Sequence, residues 1–233
     1  MSYAYDAHGV TKVGAFLAPA DAEGLKQIVA VIYDLLDRET QRGAPINAGL
    51  ADNFKKWQGV WLKEVGAFLY AQSPALERNL TTAIASVEAA FARAFPDRRC
   101  QLCLDRTFFR RVAGAHTFVG WHTDADAANM TVYGGDSVNA WVPLQPVGGE
   151  ASRAPTLEFV PGSHVKMRDA PTLPRDLATR NTWVDTTFPQ QRWAPEAVVG
   201  DAVVFSQWTV HRTQRLKCTP VERTSCEFRF VPA

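Results

Sequence analysis

The sequence has no apolar run approaching the ~20 residues that a membrane-spanning helix requires, which excludes a helical membrane protein. It also lacks a surplus of either charge. Twenty-five Lys plus Arg stand against 24 Asp plus Glu in 233 residues, a formal net charge of +1. No basic stripe is visible, so no nucleic-acid partner is expected. The stretch from Met1 to Val10 is polar and carries Asp6 and His8, unlike a secretory leader. Cysteine is scarce, with residues only at 100, 103, 218 and 226. Cys100-x-x-Cys103 lacks the second pair at matching spacing that a structural zinc site needs. Reduced, partly buried thiols and a cytoplasmic location are therefore expected. Internal repeats and low-complexity tracts are absent too.

What is present suffices for a sizeable core, since 46% of the residues are hydrophobic. One domain spanning 1–233 is expected, with 1–99 as a helical support region and 100–233 as a β core carrying a long insertion at 165–197. Residues 9–17 predict a short strand. Pro19 and Asp21 then open an amphipathic helix to about Asp37, on the spacing of Leu25, Ile28, Val29, Ile32, Leu35 and Leu36. Gly43 and Pro45 end it. The aromatic-rich stretch 53–72 is ambiguous. Leu76, Leu80, Ile84, Val87, Phe91 and Phe95 predict a second long helix running to Pro96. From Cys100 onward the pattern changes to short strands, predicted at 101–112, 116–124, 137–145, 156–160, 198–211 and 222–231. Helices first and strands afterwards predict a mainly β sandwich or barrel with the N-terminal helices packed on one face.

The chemistry gathers at Trp121-His122-Thr123-Asp124 and at His211. Alternation along a strand would point His122 and Asp124 to the same side. A second imidazole from a neighbouring strand would complete two nitrogens and one oxygen on one face of a metal, leaving positions open as non-haem Fe(II) oxygenases require. Along the strand 198–211 the same parity carries Val203, Phe205, Gln207, Thr209 and His211, so His211 can face the barrel interior. On the last strand Arg223 and Ser225 share one face, and Thr224, Cys226, Phe228 and Phe230 the other. An arginine inside a barrel needs a partner, and a ligand carboxylate held by a guanidinium fork is the natural one.

His122-Thr123-Asp124, His211 and Arg223-x-Ser225 resemble the His-x-Asp…His…Arg-x-Ser pattern of Fe(II)/2-oxoglutarate-dependent oxygenases. The phytanoyl-CoA dioxygenase family is resembled in particular. The further likeness lies in Trp121, Asn139-Ala140-Trp141, Phe159-Val160-Pro161-Gly162-Ser163-His164, Gly200-Asp201…His211-Arg212-Thr213, and Gly9-Val10…Phe16-Leu17 before a helix. The resemblance implies a double-stranded β-helix (jelly roll, cupin-like) holding Fe(II) by His122, Asp124 and His211. It implies that 2-oxoglutarate is gripped by Arg223 and Ser225, with Thr213 and Trp141 beside it. O2 would complete the reactants, an unidentified small molecule would be hydroxylated, and the co-substrate would leave as succinate and CO2. Asp124 favours hydroxylation or desaturation over halogenation, because related halogenases lack that carboxylate.

Other residues compete for these roles. His116 is read as structural, His164 as a turn hydrogen-bonder and His8 as solvated. Arg215 and Arg229 are rivals of Arg223, with Arg229 expected to pair with Glu227 or Asp105. A cupin-like metal- or small-molecule-binding protein without oxidative turnover is the alternative reading; the Arg223-Ser225 pair speaks against it. Substrate contacts are expected from the loop 125–136, the segment 165–197 and the aromatic region 54–70. Trp183, Phe188 and Trp193 suggest an apolar or flat substrate. The near-neutral charge speaks against a CoA thioester. The sequence does not define the oligomeric state.

Overall fold

A computed structural model describes residues 3–43, 50, 54–55, 58–112, 118–127, 135–149, 152–169, 173–189, 192–216 and 221–233. His116, Trp57, Cys218 and most of the loop 125–136 lie outside the described residues. A short helix α1 (Tyr5–His8) leads into β1 (Val10–Val13) and then α2 (Pro19–Arg42). Pro19 occupies the first turn of α2, where its missing N–H is harmless, and Asp21 complements the helix dipole. The helix continues five residues past the predicted end at Asp37. It stops where Gly43, at φ 65°, turns left-handed and donates its N–H to the Glu39 and Thr40 carbonyls. The ambiguous stretch resolves into β2 (Gly59–Trp61) and α3 (Leu62–Gln72), and α4 (Pro74–Ala94) follows. The Ser73 side chain caps α4 by accepting from the Ala75 N–H.

The β region begins with β3 (Cys100–Leu102), a 3-10 turn (Leu104–Arg106) and β4 (Phe108–Val112). After a four-residue helix α5 (Asp124–Ala127) come β5 (Val138–Pro143), β6 (Leu157–Phe159), α6 (Ser163–Asp169) and α7 (Leu177–Thr187). Strands β7 (Ala202–Ser206), β8 (His211–Thr213) and β9 (Arg223–Pro232) complete the chain. A seven-stranded sheet runs β1-β7-β5-β9-β4-β2, with β3 also paired to β9, and every pairing is antiparallel. A second, two-stranded sheet pairs β6 with β8. Isolated bridges widen it, from Phe159 to Trp193 on one side and from His211 to His122 on the other.

Alternation divides the large sheet. Its outer side chains, including Phe109, Val138, Ala140, Val142, Ala202, Val204, Cys226, Phe228 and Phe230, form one core with Leu25, Ile28, Ile32, Leu36, Val65, Leu80 and Val87 of the three long helices. The expected packing of N-terminal helices on one sheet face is thus present. The inner side chains Trp141, Val203 and Phe205 pack with Leu157 and Phe159 of the small sheet.

Two strand predictions and one loop prediction fail, each for a reason of its own. The chain over 118–124 is not a strand, and His122 makes a single bridge before Asp124 opens α5. The predicted strand 198–211 breaks after Ser206, and a turn at Gln207–Thr209 carries His211 to the other sheet. Unbroken parity is therefore not what brings these ligands together. The segment 165–197 holds most of α6 and all of α7 rather than a long loop.

The face of β9 packed on the helices should dominate stability. Phe228 is fully buried and meets Phe109 edge-on with ring centroids 6.0 Å apart. Phe228→Ala should reduce the unfolding free energy by roughly 3–5 kcal/mol in urea titrations. A loss below about 1 kcal/mol would mean the outer core tolerates the cavity.

Candidate metal centre

His122 and His211 are held by the backbone before any ligand arrives. The two residues exchange hydrogen bonds, His122 N–H to the His211 carbonyl at 2.9 Å and His211 N–H to the His122 carbonyl at 3.0 Å. Each ring is then fixed through Nδ1, which lies 2.8 Å from the Gly120 carbonyl in His122 and 2.9 Å from the Thr209 carbonyl in His211. A carbonyl only accepts, so both Nδ1 atoms carry the proton and both Nε2 atoms present a lone pair. Asp124 Oδ1 lies 3.6 Å from His122 Nε2 and 3.9 Å from His211 Nε2. The ligand atoms of all three residues fall within 4.8 Å of one another. Ligand bonds of about 2.0–2.2 Å let such atoms share one cation. Among the described residues this is the one such cluster of three or more His, Cys, Asp or Glu side chains.

Protonation follows from surroundings. Burial pushes His211 down to about 4, helped by neighbouring His122 and opposed by Asp124, so the ring is neutral at pH 7. Burial alone would raise the Asp124 carboxyl. The neighbouring Arg229 charge, with His122 and His211 close by, outweighs it and holds the group below the usual carboxylate range. Its second oxygen accepts from Asn139 Nδ2 at 2.8 Å and lies 3.5 Å from Arg229. Asn139 was visible only as part of a motif, and Arg229 only as a rival for the co-substrate. The signal for Arg229 was its parity, since 223, 225, 227 and 229 alternate onto one face of β9. It does pair with Glu227, at 3.1 Å, whereas Asp105 pairs with Lys63.

The expected anion clamp is deeply buried. Arg223 is 1% exposed, and its guanidinium donates to the carbonyls of Pro155 at 3.0 Å and Thr156 at 3.5 Å. No described carboxylate lies within ion-pair distance of it. Burial, then the neighbouring Arg110 charge, lowers it to about 9, which leaves it charged at pH 7. Around it, Arg223 Nε, Ser225 Oγ, Thr156 Oγ1 and Trp141 Nε1 are buried without hydrogen-bond partners. The Trp141 ring lies under the guanidinium, 5.1 Å away. Thr213 lines the cavity at the metal cluster, and its hydroxyl accepts from the Val119 N–H at 3.2 Å.

Other expectations resolve simply. Arg215 is exposed, as expected of a turn residue. His164 is buried, and its Nδ1 has no hydrogen-bond partner among the described residues. Trp183 and Phe188 pack edge to face beside Trp121, and Trp193 packs on Phe159. None of these three lines the cavity, because their rings close the small sheet and its helices. Trp61 from the aromatic region and Leu177 and Arg180 from α7 do line it.

An antiparallel sheet flanked by helices, with a His-Asp-His cluster on its inner side, defines a cupin-like oxygenase architecture. The sequence matches the phytanoyl-CoA dioxygenase (PhyH) family over residues 5–219, and the chain belongs to that family. It is therefore an enzyme of the iron- and 2-oxoglutarate-dependent dioxygenase type. AviO1 from Streptomyces viridochromogenes Tue57 is similar in structure at 21% identity and TM-score 0.60, over 97% of this chain and 91% of that one. EctD from S. alaskensis, solved with 2-oxoglutarate and 5-hydroxyectoine, is similar at 16% identity and TM-score 0.62, over 98% and 74%. SnoK, a non-heme alpha ketoglutarate dependent carbocyclase from nogalamycin biosynthesis, is similar at 18% identity and TM-score 0.61, over 98% and 81%. At these identities the likeness is one of fold. No curated protein sequence matches the chain. No helix among the described residues is long and apolar enough to cross a membrane.

The lowered His211 value has a consequence for metal-free protein. Folded His211 titrates near 4, against roughly 6.5 in the unfolded chain. Between those values the unfolded state binds the extra proton, so stability rises with pH there and is lost as pH falls. Urea titrations at pH 4.5 and pH 7 should differ by up to roughly 3 kcal/mol from this group, with the difference shrinking in His211→Gln. An equal pH dependence in that variant would place the titration elsewhere.

Proposed function

We propose that the chain, acting as one domain over 1–233, hydroxylates a small molecule using Fe(II), 2-oxoglutarate and O2. The observation that carries this is the pairing of a three-atom His-Asp-His cluster at the small sheet with a buried, carboxylate-free arginine on the inner face of the large one. The donor set fits ferrous iron, because two neutral imidazoles and one carboxylate occupy one face and leave the remaining positions for other ligands. His122 and His211 would bind through Nε2 and Asp124 through Oδ1. Asn139 and Arg229, holding the other Asp124 oxygen, orient that carboxylate and keep it ionised. Iron bound there supplies the chemistry by which one atom of O2 enters a substrate C–H bond while the other converts 2-oxoglutarate to succinate and CO2.

The chain's own residues do the rest. Arg223 meets the far carboxylate of the diacid through its guanidinium, and the Ser225 hydroxyl adds a donor two residues on. Trp141 supports the guanidinium from below, and Thr213 lines the cavity at the metal cluster, whereas Arg223 and Ser225 lie behind that lining. The four orphaned polar atoms around Arg223 would find partners in one carboxylate and the waters it orders. A metal-holding protein without turnover, the alternative, would gain nothing from an unpaired cation buried in the sheet. The three described cysteines, Cys100, Cys103 and Cys226, are free thiols, which supports a reducing compartment such as the cytoplasm.

Anaerobic addition of Fe(II) and 2-oxoglutarate should produce the weak visible charge-transfer band of the chelate, and air should then yield succinate. Absence of both sinks the oxygenase reading in favour of the metal-binding one. Arg223→Ala should weaken 2-oxoglutarate binding by about 2–5 kcal/mol while Fe(II) affinity stays nearly constant. Unchanged co-substrate affinity in that variant would move the clamp elsewhere. Asp124→Ala should abolish turnover, and succinate formation at the wild-type rate would remove Asp124 from the metal.

A further inference from the structure

The cavity at the cluster has a volume of about 400 Å³ and contains more positive than negative charge. Besides the histidines, its ionised lining residues are Asp124, Glu227, Arg110, Arg180 and Arg229. Arg229 is matched, lying 3.5 Å from Asp124 and 3.1 Å from Glu227. Arg110 reaches an acid only at 3.8 Å, from its Nε to Glu227, and that Nε is buried without a hydrogen-bond partner. Arg180 meets no described carboxylate within ion-pair distance. It donates instead to the carbonyls of Pro174, Trp121 and Arg175, which fixes the group, and the acid it feels is the fully exposed Asp176, outside the cavity. Three guanidinium groups thus face two carboxylates. A ferrous ion and a doubly charged 2-oxoglutarate would cancel one another, and with Arg223, charged and outside this lining, the surplus stays at one positive charge or more. In a partly enclosed site such a surplus is a sink for one anionic group.

The walls beside Arg110 are flat and apolar. Trp61 and Phe108 pack with ring centroids 4.6 Å apart, and the Arg110 guanidinium stands over the Phe108 ring at 5.2 Å. Both rings line the cavity.

We propose that the substrate is a carboxylate with a flat apolar body, its charged end received by Arg110, its body lying against Trp61 and Phe108, and Arg180 reinforcing the field. The proposal rests on the oxygenase reading, since it takes the remaining space of that cavity as the substrate's. It departs from Trp183, Phe188 and Trp193 as the flat-substrate residues and assigns that part to Trp61 and Phe108.

Benzoate and benzamide are the probes, titrated calorimetrically into full-length protein loaded anaerobically with Fe(II) and 2-oxoglutarate, the chelate band being recorded first. Benzoate should bind one to one, and benzamide about tenfold more weakly, the worth of one charge-assisted hydrogen bond. Arg110→Gln should bind benzoate about tenfold more weakly and lose the preference over benzamide, whereas Arg110→Lys should keep most of both. Affinity for 2-oxoglutarate should move less than about threefold in either variant, which also reports that the fold survives. Benzamide binding as tightly as benzoate overturns the proposal, as does benzoate binding that survives Arg110→Gln or is absent altogether. An equal loss of 2-oxoglutarate affinity also overturns it, by giving Arg110 to the co-substrate. A missing chelate band instead counts against the oxygenase reading itself.

Discussion

The reciprocal backbone pairing of His122 with His211 is the constraint on which the site depends. These residues are 89 apart in the chain, yet each donates its N–H to the other's carbonyl at 2.9–3.0 Å. Residues exchanging hydrogen bonds across an antiparallel bridge hold their side chains on the same side. Two imidazoles therefore converge without either belonging to a long strand, and their centroids stand 4.1 Å apart. The bridge relies on the turn before it. The Thr209 carbonyl fixes the His211 ring, and the Thr209 hydroxyl donates to the Gly9 carbonyl at 2.7 Å. Gly9 has φ +69°, and a Cβ there would lie 2.4 Å from the His164 ring. That turn is thus tied to the start of β1 at a position only glycine fits comfortably.

The second organising fact is the division of labour on β9. Cys226, Phe228 and Phe230 face the helices, while Arg223, Ser225, Glu227 and Arg229 face inward. The apolar side anchors the strand, at roughly 1.5–3 kcal/mol for each large side chain buried. The polar side carries the buried, carboxylate-free Arg223 at its start and the partner of the Asp124 carboxylate further along. A one-residue slip of register would exchange the two sets. Pairing with β4 on one side and β5 on the other prevents it.

This alternation is why the ends of the chain were the legible part. The period of two in 223–230 is a local property of the sequence, and the structure keeps it. The helical spacing of Leu25 to Leu36 and of Leu80 to Phe91 is likewise local, and α2 and α4 follow it closely. The route by which the ligands meet was not local. The run 118–124 contains strand-compatible residues, but only the bridge to His211 recruits any of it, and Asp124 already belongs to a helical turn. The interruption at Gln207–Thr209 is also tertiary in origin, since the turn is stabilised by Ser206, by the Gly9 carbonyl and by a contact from Gln207 to Gly135. No single stretch encodes those partners. Asn139 shows the same limit from another side. It could be quoted as part of a motif, but its grip on Asp124 Oδ2 depends on β5 lying beside both β7 and β9.

The two inward arginines of β9 illustrate why such sites keep groups that a purely structural sheet would discard. Arg229 has its charge balanced by the chain itself, through Asp124, Glu227 and the Arg106 carbonyl, with only its Nε left unpartnered. Arg223 has two carbonyls and a tryptophan face, which solvate a guanidinium incompletely. Its unpaired burial therefore weakens the ligand-free fold, in the way that buried charges without partners generally do. A dicarboxylate that completes the shell binds the folded state alone, and linkage then returns stability in proportion to occupancy, about 2.7 kcal/mol at a hundredfold excess over Kd. For any carboxylate that fills this shell, affinity and the instability it relieves are thus two consequences of the same unfilled hydrogen bonds.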